Sequence, residues 1–263
     1  MEIGTFARSN EEIRTAMADR PDFVELRLDV SHRFNYVEAH RELSSNGVRC
    51  TLHLPSDPGW HPTTVSQGIA PYLNIARQVE ADVVTFHSTL SSLFYEDEDI
   101  DDFLSSIGLA CDAARETGVV LSVETLGSYY TEFTLLFDAN PNVRMTLDIG
   151  HGQILAHRNR AIGHIDSFFD RIVLVNVHDN RGEEMVQEVL RLKRERNVTR
   201  EEMREMVRRY DTHMPIGEGS IDFPSIFRSL KQHGYNGKFL MMCEDQKAFS
   251  NEREKFMKMW QES

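Results

Sequence analysis

The sequence predicts a (β/α)8 barrel, on three observations. Eight short β-rich runs alternate with longer amphipathic ones along 263 residues, the pattern of βαβ units and a parallel sheet. Eight such units in about 250 residues match that barrel in size and count. No glycine-rich dinucleotide fingerprint follows the first run, which disfavours the competing doubly wound open sheet.

In chain order, strands are expected at EIGTFA (2–7), DFVELRLD (22–29), VRCTLHL (48–54) and DVVTFHS (82–88). They continue at VVLSVET (119–125), VRMTLDI (143–149), RIVLVNVHD (171–179) and KFLMMCE (238–244). Helical patterns lie between them, the first at 9–18 with Ser9 and Asn10 as cap residues. The others fall near 35–45, 65–79, 101–116, 130–138, 160–169, 224–233 and 250–262. One segment breaks the alternation, in the loop after strand seven. Within 183–210, Thr199 and Glu202 have capping-box spacing, and Met203, Met206, Val207 and Tyr210 share a helical face. A helical hairpin inserted in a βα loop is expected there, within one barrel domain spanning 1–263. Its arginines, at 191, 194, 196, 200, 204, 208 and 209, fit a solvated helix pair with interleaved charges. They also fit a lid or phosphate-binding flap, because βα loops of a barrel lie on its catalytic face.

Composition narrows the class. Hydrophobic content of 40% and charged content of 27% are those of a soluble globule. No apolar run reaches the roughly 18–20 residues of a membrane span, and the N-terminus lacks a basic-then-apolar leader. A cytoplasmic protein without a membrane partner is therefore expected. Cys50, Cys111 and Cys243, widely spaced, fit free thiols in a reducing compartment. A net charge of −13 opposes unaided binding to nucleic acid. There is no P-loop, no GxSxG elbow and no HExxH.

The chemistry concentrates at the strand ends. His53, His87, Glu124, Asp148, His178 and Glu244 end strands three to eight, and His151 follows Asp148 by three residues. A barrel converges these ends on one mouth. Asp211 and His213, in DTHMPIGEGSIDF (211–223), belong to the loop above it. Imidazole and carboxylate suit zinc, manganese and related divalent ions. Crowded without a cation, so many of them would repel or need partners. Each residue alone has a plainer reading: a strand-end histidine is often only hydrogen-bonded, and Asp148 could cap a helix leaving His151 on the surface. The set is what argues for a metal.

Other residues are more ambiguous. Glu25, Arg27 and Asp29 alternate on one face of strand two. They fit a charge pair in a polar barrel interior, or substrate contact by Arg27. Trp60, in the loop after strand three, could wall a sugar site or pack against its own barrel. Cys243 should point away from the metal and serve packing.

VETLG, LDIGH, NVHDN, DTHMPIGEGSIDF and CED, in this order, resemble the xylose isomerase-like superfamily of TIM barrels. The likeness covers roughly residues 1–245. That superfamily contains sugar and sugar phosphate isomerases and epimerases, and the endonuclease IV group of abasic-site nucleases. The isomerase pattern implies one divalent ion (Mn, Zn, Mg or Co) on Glu124, Asp148, His178 and Glu244. Glu124 and Glu244 would be the catalytic acid/base pair for proton transfer next to a metal-polarised carbonyl. His151 and Glu218 would orient substrate hydroxyls.

The endonuclease IV pattern implies three zinc ions on those four ligands together with His53, His87, His151, Asp211 and His213. The chain departs from that pattern with FHSTL in place of an HPG-type turn and VETLG in place of ENT. Its insert departs from both groups. The leading expectation is a metal-dependent sugar or sugar phosphate isomerase/epimerase. A trinuclear zinc enzyme acting on abasic DNA is the alternative, and a non-catalytic ligand-binding barrel the second alternative. A homodimer could form through the amphipathic insert or the segment EKFMKMW (254–260).

Overall fold

In the computed structural model, residues 1–28, 34–56 and 62–263 are described, with 62–65 by backbone only. Eight parallel strands close into a barrel in sequential order. They are β1 (Glu2–Ala7), β2 (Phe23–Arg27), β3 (Arg49–His53), β4 (Ala81–Phe86), β5 (Val120–Glu124), β6 (Arg144–Asp148), β7 (Ile172–Val177) and β8 (Lys238–Met241). β1 pairs with β8 through Glu2–Lys238, Ile3–Phe239 and Gly4–Leu240, which closes the ring. All eight expected strands are present.

Helices fill the connections. They are α1 (Asn10–Met17), α2 (Tyr36–Ser45), α3 (Pro62–Gln78), α4 (Asp97–Thr117), α5 (Tyr130–Ala139), α6 (Ile149–Gln153), α7 (Ala161–Phe168), α8 (Glu184–Glu195), α9 (Arg200–Tyr210), α10 (Phe223–Gln232) and α11 (Phe249–Glu262). Local chemistry fixes several ends. Ser9 and Asn35 cap α1 and α2 through their side chains, Gly118 ends α4 in the left-handed region, and Thr199 and Glu202 close a capping box on α9. The inserted hairpin is therefore α8 and α9, as expected. The one-turn α6 is the helix that Asp148 could cap, and it buries His151 instead of leaving it on the surface.

The main core lies between the barrel wall and its helices: outward strand residues such as Val24, Leu26, Val84, Val123, Leu147 and Val175 pack on the helices' apolar faces. The barrel interior is layered differently. Phe23, Leu174, Leu240 and Met242 make a small apolar plug. Gly4 makes room for it, since a Cβ there would lie 2.6 Å from the Phe23 ring. Glu25, Thr51, Thr85, Ser122, Thr146 and Asn176 are fully buried next to it. Thr146 Oγ1 lies 2.9 Å from Thr85 Oγ1 and 2.8 Å from Ser122 Oγ, so these hydroxyls satisfy one another. The period-2 alternation that aims them inward also aims His53, Glu124, Asp148 and His178 into the mouth.

The hairpin has its own core. Met185, Val189, Met203, Met206 and Val207 bury against Phe94 and Ile154, with Tyr95 and Leu126 partly covered. No helix among the described residues is long and apolar enough to cross a membrane.

Candidate metal centre

Glu124 is the hub of the mouth. Its carboxylate is 2% exposed. Oε2 lies 2.9 Å from His53 Nε2 and accepts from Asn176 Nδ2 at 3.2 Å. Oε1 lies 3.0 Å from His87 Nε2 and 2.9 Å from His151 Nδ1. The next strand supplies the second centre: Asp148 Oδ1 lies 3.0 Å from His178 Nε2 and accepts from the backbone N–H of His151 at 2.7 Å. That last bond caps α6. Asp148 is thus a helix cap and a member of the cluster at once, and the single turn it starts brings His151 back over Glu124. Asp211, at the end of α9, reaches His151 Nε2 at 3.2 Å and His213 Nε2 at 3.5 Å.

Three overlapping groups of donors result: His53, His87 and Glu124; Glu124, Asp148 and His151; and His151, His178, Asp211 and His213. Within each group the ligand atoms lie within 4.8 Å of one another. The donors fit divalent cations by more than proximity. Asp148 Oδ2, His151 Nδ1, His178 Nδ1 and Asp211 Oδ1 are buried without a hydrogen-bond partner among the described residues. His151 Nδ1 is close to Glu124, but not in hydrogen-bonding alignment. Orphaned buried polar atoms cost about 1–3 kcal/mol each, and a cation would satisfy several together.

The electrostatics agree. Burial alone would raise the Glu124 carboxyl, but the imidazoles of His87, His151 and His53 together outweigh it and hold it well below the usual carboxylate range. Asp211 is likewise held well down, burial being outweighed by His151 and His213. Burial opposes charge on His151, yet Asp148, Asp211 and Glu124 raise it well above an ordinary imidazole. His178 is raised against burial by Asp148. The surrounding carboxylates thus favour positive charge at these two rings. His53 goes the other way, lowered by burial and by Arg27. Below the mouth, burial pushes Glu25 up to about 8; Arg27 opposes this and Glu124 adds to it.

A pocket of about 160 Å³ opens onto these donors. His87, His151 and Asp211 line it on one side, and Phe94, Tyr95, Leu126, Arg204, Val207 and Arg208 on another.

The family model described as the xylose isomerase-like TIM barrel matches residues 13–258. The chain belongs to the xylose isomerase-like TIM barrel family. Uncharacterized protein MJ1614 of Methanocaldococcus jannaschii is 24% identical over 170 residues, 61% of this chain and 54% of that protein. The chain spans about half the length of the curated relatives it matches. Among solved structures, D-allulose 3-epimerase from Methylomonas sp. has a TM-score of 0.72 at 15% identity, over 99% of this chain and 98% of that one. AP endonuclease, family 2 from Brucella melitensis has a TM-score of 0.68 at 16% identity, over 98% and 99%. At such identities these likenesses speak for the fold, and both branches of the family share it.

As a xylose isomerase-like barrel, the chain brings together eight of the nine expected ligands: His53, His87, Glu124, Asp148, His151, His178, Asp211 and His213. Glu244 departs from expectation. Its side chain is 68% exposed and lies 3.2 Å from Arg8. The reason is local: β8 ends at Met241, and the departing chain brings the Glu244 N–H to the His213 carbonyl and its carboxylate to the cation beyond β1. Glu218 departs too. It is exposed, 4.0 Å from Lys255, and does not line the pocket. Arg27, partly buried at the end of β2 in register with His53, interacts with Glu25 and does not line the pocket. Trp60 and Asp29 lie outside the described residues. Cys243 is buried, as expected for packing.

Two residues have no role in the sequence reading, Asp179 and Asn176. Asp179 clasps the glycine turn: Oδ2 accepts from Gly217 and Gly219 N–H at 3.0 Å each, and Oδ1 from Ile221 at 3.2 Å. A Cβ on Gly219 would collide with Asp179 and the Asn180 carbonyl. The turn thus exists to lock the 211–223 segment onto β7, not to present Glu218. Asn176 could have been found, since it shares a face with His178 two residues on.

Proposed function

We propose that this chain is a multinuclear divalent-metal hydrolase of phosphate esters. The carrying observation is the donor set: eight imidazole and carboxylate side chains in three groups that share Glu124 and His151. A single catalytic ion takes about four to six ligands and keeps a position open. Eight donors exceed that, so at least two ions are expected.

When bound, such ions offset phosphate charge and activate water for in-line displacement. The chain's own groups do the rest. His53, His87 and Glu124 would hold one ion, Glu124, Asp148 and His151 would supply a second group, and His151, His178, Asp211 and His213 a third. Phe94, Leu126 and Val207 exclude water from one side of the pocket, which strengthens every charge interaction inside it.

The isomerase/epimerase reading stays as the second, favoured by the size of the pocket, which suits a small polyol better than a nucleic-acid duplex. It needs Glu244 as the second proton-transfer carboxylate, and that group lies with Arg8 instead. The test is direct. Protein loaded with zinc, manganese, magnesium or cobalt is assayed for phosphate release from small phosphate esters, and for solvent proton exchange at C–H bonds beside the carbonyl of ketoses. Phosphate release supports the hydrolase; exchange without phosphate release overturns it in favour of the isomerase.

A further inference from the structure

The inserted hairpin walls part of the pocket through Arg204, Val207 and Arg208, and two of its arginines are without a partner among the described residues. Of the seven arginines on α8, α9 and the turn between them, five are engaged. Arg191 meets Glu195, Arg196 meets Glu202, Arg200 meets Glu96, and Arg209 meets Glu188. Arg204 bonds Glu201 and the Phe94 carbonyl. Arg194 and Arg208 have no ion-pair or hydrogen-bond partner among the described residues, and of these two only Arg208 lines the pocket. A second observation faces the same space. Thr89 lines the pocket at 1% exposure, and its hydroxyl has no partner among the described residues.

We infer that Arg208 is the phosphate-recognition residue of this pocket, and that the hairpin restricts the substrate to small phosphate esters. A guanidinium presents a planar fork that matches phosphate oxygens, and this one, exposed at the pocket rim, has no partner among the described residues. The carbon skeleton of the ester would lie on Phe94, Leu126 and Val207, which α9 and the loops after β4 and β5 bring together. The volume sets the size. About 160 Å³ is well short of the roughly 300–1,000 Å³ of pockets for drug-sized ligands. An ester of a few carbons or a single small ring suits that volume. This inference rests on the mouth being the substrate site, not on which reaction occurs there.

Non-hydrolysable probes keep the two apart. Binding of phenylphosphonate and of benzoate to the metal-loaded full chain is measured by calorimetry, for the native protein and for Arg208→Ala, Arg208→Lys and Arg194→Ala. The native protein is expected to prefer the phosphonate. Arg208→Ala should weaken its binding by about tenfold or more, as for a lost hydrogen bond to a charged group. Arg208→Lys should recover part of that loss, and Arg194→Ala should change it by less than about twofold, as for a screened surface charge. Equal binding by Arg208→Ala and the native protein would overturn the inference, as would an equal loss in Arg194→Ala or no phosphonate binding at all. Phosphonate selectivity without ester hydrolysis would sink the hydrolase and leave Arg208 in its role.

Discussion

The rings of His178 and His213 lie flat against each other, with centroids 3.9 Å apart and planes 5° from parallel. The contact joins the end of β7 to the loop after α9, and His213 adopts a left-handed φ of 45° to make it. Its Nδ1, 2.9 Å from the Met242 carbonyl, fixes the ring. Such backbone costs about 1–3 kcal/mol and persists where its surroundings enforce it. His213→Ala should therefore cost ligation rather than fold. Elemental analysis after dialysis should show the metal content falling by about one ion per chain, of the two or three expected when eight donors exceed one ion's coordination. A native content of one ion would refute the multinuclear centre.

Against burial, Asp148 and Asp211 raise the proton affinity of both His151 and His178. Metal binding competes with protons at these rings. Loading at neutral pH should release about one to two protons per chain, and apparent affinity should weaken as pH falls. Calorimetry in buffers of different ionisation enthalpy reads the number. Metal uptake with no proton release would contradict the assigned ligands.

Glu124 and Glu244 separate the two catalytic readings. Glu124→Gln removes the charge that three imidazoles share, and activity should fall by about 100-fold or more, with circular dichroism unchanged. Glu244→Gln touches an exposed pair with Arg8, which is worth at most about 1 kcal/mol, so activity should change by less than about fivefold. An equal collapse in both variants would restore the two-carboxylate isomerase.

Gly150 is needed for space. A Cβ there would run into the His178 ring. Gly150→Ala should cost about 1–3 kcal/mol of stability, as overpacking does, and weaken metal binding with it. A chemical denaturation curve and a metal titration on the same variant check both. Unchanged metal affinity would mean that the ring moves without consequence.

His164 gives the barrel an acid limit away from the site. Burial pushes it down to about 4, and Arg160 adds to the effect. Its ring packs edge-on to Phe133 at 5.2 Å. The folded state holds it neutral while the unfolded chain protonates near 6.5. The unfolded state therefore binds the extra proton, and stability falls as pH drops from about 6.5 to about 4. The total is about 3 kcal/mol for this one group. His164→Leu should flatten that limb when urea midpoints are compared at pH 7.5 and 4.5; an unaltered difference would remove His164 as its source.

The strands, most helix positions and the gathering of eight imidazole and carboxylate side chains at the mouth were legible because they depend on period and on the rule that strand ends meet there. The hairpin was legible for the same reason, since Thr199, Glu202 and the Met203 face are local signals. Glu244 misled because its side belongs to the same alternation as Leu240 and Met242. The strand stops at Met241, and no local signal says that Arg8, more than 200 residues away in sequence, will attract the carboxylate. Glu218 misled because its glycines suggested a presenting loop, whereas Asp179 holds that loop from below.

By itself, then, the sequence determined the barrel, the inserted hairpin and the type of donor gathered at the mouth, because hydrophobic period, capping and ligand chemistry are properties of short stretches. Only the tertiary structure decided that Glu124 and His151 are shared between donor groups, that Glu244 leaves, and that Arg208 faces the pocket with no partner among the described residues. Those facts rest on distances between residues far apart in the chain, which are fixed when the barrel closes and the hairpin packs onto Phe94 and Ile154.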